Sequence, residues 1–434
     1  MSGVVVGSIG LAAMLVLLAL RMPVGISMLA VGFVGTAYLN GLPAALSIIG
    51  TEPVATLSNS ELVVIPLFVL MGNLATASGL SRDLYAAAYV WIGHLRGGLA
   101  SATIAACAGF SALCGSSVAA AVTMGQVSLP EMRRYGYAPS LAAGSVAAGG
   151  TLGILIPPST GFVLYAILTE QSVGRLFLAG VLPGLLLTAL FILAIVIVSR
   201  LNPQLGPPGP RTTGREKLKA MGQAAPMTGV ILLTIGGIYA GWFTANEASG
   251  IGAFLALLIA IFRRKLDART FISIGLQSAQ TTALVFLILI GAHVFNPFLA
   301  LTQIPSQLAE FLSSLNVAPV VLLSIIILIY VFLGMFLEGL AMLVLTVPIV
   351  FPIITAIGYD PIWFGVIMVL VLEMGLISPP VGVNVFVVKG LVPDVPIEQI
   401  FRGIIPFWIA MVVCVVLLIV FPEIALLLPQ TMKQ

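Results

Sequence analysis

Long apolar runs separated by short polar loops dominate the chain. Runs of roughly 20 residues, enough to cross a bilayer as a helix, lie at 4–20, 62–80, 177–199, 226–242, 248–262, 271–291, 318–337 and 404–428. Their length and spacing predict helices; the alternating segments of about ten residues that a membrane barrel needs are not seen. The pattern predicts an all-α, multi-pass membrane protein, with the first run read as a true span and not as a cleaved leader. Composition agrees. Of 434 residues, 60 % are hydrophobic and 8 % charged, where a soluble domain carries about a quarter charged, and mean hydropathy is +1.18. The three cysteines, Cys107, Cys114 and Cys414, sit in apolar runs at no zinc or disulfide spacing and read as packing residues.

The net charge of +3 says little, but the placement of the basic residues says more. They gather in Arg82 with Arg96, Arg133-Arg134, the stretch from Arg200 to Ala224, Arg263-Arg264-Lys265 with Arg269, and Lys389 with Arg402. The positive-inside rule assigns these loops to the cytoplasm. Counting spans between them leaves only Arg175 and Lys433 of the eighteen basic residues outside, with the N-terminus periplasmic and Arg21 inside. The stretch 81–97 then starts and ends on the cytoplasmic side, and is expected to lie in the interface with Tyr85, Tyr89 and Trp91 as anchors.

The chain also repeats itself at an offset of 222 residues. Pro130 falls on Pro352, Gly136-Tyr137-Ala138-Pro139 on Gly358-Tyr359-Asp360-Pro361, Gly153 on Gly375 and Pro157-Pro158 on Pro379-Pro380. One residue more puts Gly180 and Pro183 on Gly403 and Pro406. Glycine and proline fix backbone geometry, so a shared offset among them means more than shared hydrophobicity. Arg133-Arg134 puts one loop inside, while its counterpart carries Asp360 and no basic residue. Two like units of opposite orientation are the pattern of an inverted-repeat transporter, whose sites lie near the midplane at broken helices.

Each unit carries two interruptions. The apolar stretch 98–130 has cytoplasmic ends and Cys114-Gly115-Ser116-Ser117 at its middle, so it must turn within the membrane; its counterpart 318–352 turns near Glu338-Gly339. Backbone exposed at such a turn is tolerated only inside protein or beside a cavity. The second interruption is the double proline, which breaks a helix. Gly149-Gly150-Thr151-Leu152-Gly153 precedes Pro157-Pro158-Ser159-Thr160, and Glu373-Met374-Gly375 precedes Pro379-Pro380-Val381-Gly382-Val383-Asn384. The freed carbonyls suit a hard cation such as sodium, and the following half-helix turns its positive end toward an anion. The expected cation ligands are Gly115, Ser116, Ser117, Thr151, Gly153, Pro157, Glu338, Gly339, Glu373, Gly375 and Pro379. The expected anion contacts are Ser116, Ser117, Ser159, Thr160 and Asn384. The competing readings are plain. A membrane serine often bonds its own backbone, a proline pair can be a kink, and His94 and His293 carry little signal. No Walker loop or paired-histidine spacing is present, so an enzyme is not expected, nor is nucleic acid a partner.

These residues resemble a known family. Pro66-Leu67-Phe68-Val69-Leu70-Met71-Gly72, the Gly115-Ser116-Ser117 turn, Gly150 to Ser159, Gly334-Met335-Phe336-Leu337-Glu338 and Met374 to Asn384 look like the large membrane subunit of tripartite ATP-independent periplasmic (TRAP) transporters. The resemblance covers nearly the whole chain, and the double-proline segments are its most specific part. It implies an ion-transporter-superfamily fold with inverted repeats and two re-entrant hairpins. It also implies an elevator motion driven by a sodium gradient, a periplasmic substrate-binding protein, and a small four-helix membrane subunit, here expected as a separate chain. The cargo is expected to be a carboxylate such as a dicarboxylate or sugar acid, and the location a bacterial inner membrane.

On that basis 1–80 is expected to be N-terminal scaffold, 81–97 an arm, 98–199 the first transport repeat and 200–224 a cytoplasmic linker. Residues 225–317 are second-half scaffold and arm, 318–403 the second repeat and 404–434 a C-terminal helix. The chain departs from the family at Thr244-Ala245-Asn246-Glu247-Ala248-Ser249, where a Pro-containing turn is common, and at Glu338, where Asp is usual. A stand-alone sodium symporter for divalent anions, which shares the hairpins and repeats, is the alternative; a passive channel or scaffold accounts for fewer of these features.

Overall fold

The computed structural model describes residues 2–314 and 317–432. Residues 1, 315–316 and 433–434, and with them the expected side of Lys433, lie outside the described residues. The first helices are α1 Gly3–Ala19, α2 Val24–Asn40, α3 Leu42–Leu57, α4 Val64–Ala77 and α5 Leu80–Ile92. Then come α6 Gly98–Cys114, α7 Ser117–Arg134, α8 Pro139–Leu155, α9 Thr160–Thr169 and α10 Val173–Leu201. The second half has α11 Gly214–Tyr239, α12 Ala245–Phe262, α13 Ala268–Thr302, α14 Ile304–Ser314, α15 Pro319–Gly334 and α16 Gly339–Ala356. It closes with α17 Pro361–Leu376, α18 Val383–Leu391, α19 Ile397–Val420 and α20 Glu423–Thr431. Among the described residues, eight helices are long and apolar enough to cross a membrane. The runs 4–20 and 318–337 form helices of 17 and 16 residues, below that length.

The 222-residue repeat is written into the helix ends. Ser117 and Gly339 open α7 and α16, Arg134 and Ala356 close them, and Pro139 and Pro361 open α8 and α17. Proline suits a first turn because that N–H has no helical partner. The equivalence extends to the caps. Ala119 N–H donates to Ser116 Oγ at 3.4 Å, and Ala341 N–H donates to Glu338 Oε2 at 3.0 Å. Both side chains meet orphan donors of the helix that follows the turn.

The two repeats interleave. Helix α8 packs on α6, α7 and α19, and α17 packs on α15, α16, α10 and α8. Every residue from Leu141 to Leu155 and from Ile362 to Leu376 is buried, as expected of helices apolar all round. The approach of α8 to α19 is close enough that a Cβ on Gly144 would lie 2.5 Å from the Gly403 carbonyl oxygen. Helices α1–α4, α12 and α13 pack largely among themselves, with α2 on α13 and α4 on α12 and α13, while α11 lies between α12 and α5.

Three expectations change, and one departure from the family proves ordinary in shape. The linker over 200–224 is irregular only from 202 to 213; the rest is the end of α10 and the start of α11, the latter opened by a capping box of Thr213 and Glu216. The C-terminal stretch is two helices, with α19 starting at Ile397 and a break at Phe421-Pro422 before α20, because Phe421 leaves helical geometry ahead of the proline. The divergent turn at Thr244 closes normally: Thr244 and Glu247 form a capping box, and Asn246 Nδ2 donates to the Ser60 carbonyl at 3.0 Å. Last, Tyr85 and Tyr89 are not interfacial anchors. Tyr85 is buried, and the Tyr89 hydroxyl donates to the Tyr135 hydroxyl at 3.1 Å, so both face the helices beneath α5. Trp91 is exposed.

Candidate functional site

The turn of the first hairpin is built from Gly115 and Ser116. Gly115 has φ +62°, a left-handed conformation that glycine adopts without strain. Ser116 is extended and caps α7. The first double-proline break is laid against this turn. The Thr160 hydroxyl donates to the Gly115 carbonyl at 2.8 Å, and a Cβ on Gly115 would lie 2.9 Å from the Pro158 carbonyl oxygen. A Cβ on Gly153 would lie 2.5 Å from the Ser116 carbonyl oxygen, so α8 and the hairpin turn meet backbone to backbone. Ser159 caps α9, its Oγ accepting from Phe162 N–H at 3.2 Å. Thr151 spends its proton on its own helix, donating to the Ala148 carbonyl at 2.6 Å. A small cavity of about 10 Å³, room for the centre of one water-sized sphere, lies between the two breaks. Cys114, Gly115, Pro158, Ser159 and Thr160 line it with apolar residues of α4. The Pro66–Gly72 run thus reaches the site, and a Cβ on Gly72 would lie 2.8 Å from the Leu113 carbonyl oxygen.

The second unit repeats the plan with differences. A Cβ on Gly375 would lie 2.5 Å from Gly334 Cα, so α17 meets the end of α15 as α8 meets the first turn. Both double prolines carry a cis bond, Pro157-Pro158 and Pro379-Pro380. The first pair is buried, while Pro379, Pro380 and Val381 are exposed. Glu338 is also exposed and serves as a helix cap. That cap satisfies one carboxylate oxygen and accounts for an acidic residue there without an ion. Ser378 holds the second break in place: its hydroxyl donates to the Met374 carbonyl at 2.6 Å and accepts from Trp408 Nε1 at 3.0 Å.

Two side chains stand out because their polar atoms lack partners. Glu373 is 1 % exposed with no partner for Oε2, and Asn384 is 0 % exposed with neither amide atom engaged. The Glu373 carboxyl faces the Ser117 hydroxyl of the other unit and lies within electrostatic reach of Glu338. Among the described residues the ion pairs are Arg133–Asp394 and Arg263–Asp83, so neither engages Glu373. A buried carboxylate without a cation is costly and is either protonated or compensated by a bound ion. Buried amides are ordinarily satisfied, so a wholly unpartnered one points to a ligand or water. Hydroxyl, amide, carboxylate and freed backbone carbonyls are hard oxygen donors, the set that alkali and alkaline-earth cations take.

The structure therefore brings together Gly115, Ser116, Gly153, Pro158, Ser159 and Thr160 around the first turn, with Pro157 buried next to Pro158. It brings Ser117 to Glu373 across the units, and sets Gly375 on the end of α15. Glu338 and Gly339 open α16, and Pro379 lies in the exposed second break. His293 is engaged elsewhere, its Nδ1 2.8 Å from the Thr56 hydroxyl. The Thr160–Gly115 tie and the Trp408 brace on Ser378 have no signal in the sequence, since both join residues far apart in the chain.

A family model described as "Tripartite ATP-independent periplasmic transporter, DctM component" matches residues 11–424. The C4-dicarboxylate TRAP transporter large permease protein DctM of Pseudomonas aeruginosa is 37 % identical over 402 residues, covering 90 % of this chain and 93 % of that protein. The sialic acid TRAP transporter large permease protein SiaM of Vibrio cholerae is 34 % identical, covering 94 % and 95 %. The isethionate TRAP transporter permease protein DctMQ of Oleidesulfovibrio alaskensis is 34 % identical over 84 % of this chain but only 57 % of its own greater length. Among solved structures, the Alcanivorax borkumensis YdaH transporter superposes with a TM-score of 0.65 at 16 % identity, covering 88 % of this chain and 89 % of that one. Neisseria gonorrhoeae MtrF gives 0.58 at 16 % identity, covering 87 % and 84 %. These two likenesses speak to the fold alone. With most of its length matched by the family model and by these relatives, this all-α membrane chain belongs to the DctM component family, the large permeases of TRAP transporters.

Proposed function

We propose that this chain is the sodium-coupled transport subunit for a small organic anion delivered by a periplasmic binding protein. The observation that carries the coupling is Glu373: a buried carboxyl on α17, its Oε2 without a partner, that faces Ser117 at the first hairpin turn. A sodium ion there would supply the missing counter-charge and tie the two units together. Asn384, with both amide atoms free at the start of α18, would orient the anion's oxygens through its Nδ2. Ser116, Ser159 and Thr160 would add hydroxyls from the first turn and the first break. No arginine or lysine lies in the turns and breaks themselves, 114–117, 157–160, 338–339 and 373–384, so the anion's charge would be met by bound sodium and half-helix N-termini.

The charge pattern supports a periplasmic N-terminus and two oppositely oriented repeats in an inner membrane. The close packing of α1–α4 with α12 and α13 supports an elevator, in which the hairpins and broken helices move against that frame. The partners are a small membrane subunit, which we take to be a separate chain, and the binding protein. The relatives' named cargoes, C4-dicarboxylate, sialic acid and isethionate, support an organic anion.

Reconstitution tests this. Uptake of the ligand that co-purifies with the binding protein is expected only when both membrane subunits, the binding protein and an inward sodium gradient are present. Accumulation by the large subunit alone would instead favour the stand-alone symporter.

A further inference from the structure

The 26 residues of α11 span about 39 Å, some 9 Å more than a hydrocarbon core of about 30 Å. Trp242 is exposed just beyond its far end, in keeping with an interfacial anchor there. The excess therefore falls on the first turns, where Arg215, Lys217 and Lys219 sit. This part of α11 runs antiparallel along α5. The Thr212 hydroxyl donates to the Val90 carbonyl at 2.6 Å at one end, and Arg263 joins Asp83 to the Gln223 carbonyl at the other. Ala220, Ala224 and Met227 are buried, while Arg215, Leu218 and Lys219 face away from them and are exposed.

Leu218 is 74 % exposed and Trp91 47 % exposed, two apolar side chains with cations as neighbours in sequence or space. The Lys217 ammonium lies 5.1 Å from the Trp91 ring centroid. Between 211 and 219 four cations, Arg211 included, face one carboxylate. That carboxylate, Glu216, is turned back onto its own helix cap, accepting from Thr213 N–H at 2.7 Å and from its hydroxyl at 3.0 Å.

We propose that Arg211, Arg215 and Lys219, with Trp91 and Leu218, form a binding site for the headgroup of an anionic phospholipid, on the face that the charge pattern assigns to the cytoplasm. The geometry suits one ligand class. The apolar pair enters the acyl boundary while the cations meet the phosphate above it. A zwitterionic headgroup brings a cation into a field already positive; a free phosphate has no acyl chain for Leu218 and Trp91 to contact. Each cation near an anionic surface strengthens such contact about fivefold.

The full chain, reconstituted in vesicles, tests this through tryptophan quenching by acyl-brominated lipids. Subtracting the Trp91→Phe protein isolates the Trp91 signal. Brominated phosphatidylglycerol is expected to quench Trp91 more strongly than brominated phosphatidylcholine at the same mole fraction. In the Arg211→Gln/Arg215→Gln/Lys219→Gln protein the preference should fall at least tenfold. The charge-keeping Arg211→Lys/Arg215→Lys/Lys219→Arg protein should retain it, which separates lost charge from misfolding. Equal quenching by the two lipids in the unaltered chain overturns the proposal, as does a preference that survives the glutamine substitutions.

Discussion

At the residue scale, Glu373 is the least comfortable carboxyl among the described residues: buried and short of a partner. The proposed coupling gives it one. Glu373→Gln keeps the shape and removes the charge. It is expected to leave thermal stability without sodium unchanged or higher, since replacing a buried charge by a neutral group relieves desolvation. It should abolish the sodium-dependent rise in melting temperature that a native-state ligand produces, and raise the sodium concentration for half-maximal uptake at least tenfold. A sodium-dependent melting curve like that of the unaltered chain would remove Glu373 from the ion site. Gly153 makes a contrasting case, because its importance is steric. A Cβ there would lie 2.5 Å from the Ser116 carbonyl oxygen, a backbone atom that cannot swing away. Gly153→Ala is expected to cost about 1–3 kcal/mol, read as a lowered melting temperature with or without sodium.

At the element scale, the hairpins show one device used twice with different chemistry. Ser116 and Glu338 cap equivalent helices through equivalent N–H groups, one with a hydroxyl and one with a carboxylate. Removing the second cap by Glu338→Ala should cost about 1 kcal/mol and speed amide exchange in the first turn of α16. Glu338→Asp should preserve the protection, because a shorter carboxylate is itself a strong cap. Faster exchange in Glu338→Asp as great as in the alanine protein would mean that the carboxylate is held by something other than the cap. These turns were legible in the sequence because glycine and proline mark backbone geometry directly, and the same marks at one offset exposed the repeat. What was not legible depended on distant partners. Tyr85 and Tyr89 look like interface aromatics in a segment with charged ends, yet they turn inward because α6 and α7 offer them a surface. The helical start of α11 was hidden because its polar residues read as a linker, though Thr213 and Glu216 have capping-box spacing. The break at Pro422 was hidden inside an unbroken apolar run.

At the scale of the whole molecule, two interleaved repeats bury their broken helices against each other, beside a frame of α1–α4, α12 and α13. The hydropathy pattern was enough for the class of fold, and the offset for its internal symmetry. The juxtaposition of Ser117 with Glu373 was beyond reach, because it depends on how one unit is turned against the other. That contact is where a single ion would join both repeats, so it bears on the central claim of coupling. The most direct measurement is the simultaneous uptake of radioactive sodium and labelled cargo by proteoliposomes holding both membrane subunits and the binding protein. Sodium is expected to enter with the cargo in a fixed ratio, and neither should accumulate when the inward sodium gradient is replaced by potassium. Cargo accumulation without sodium entry, or driven equally well by a proton or potassium gradient, would contradict the account.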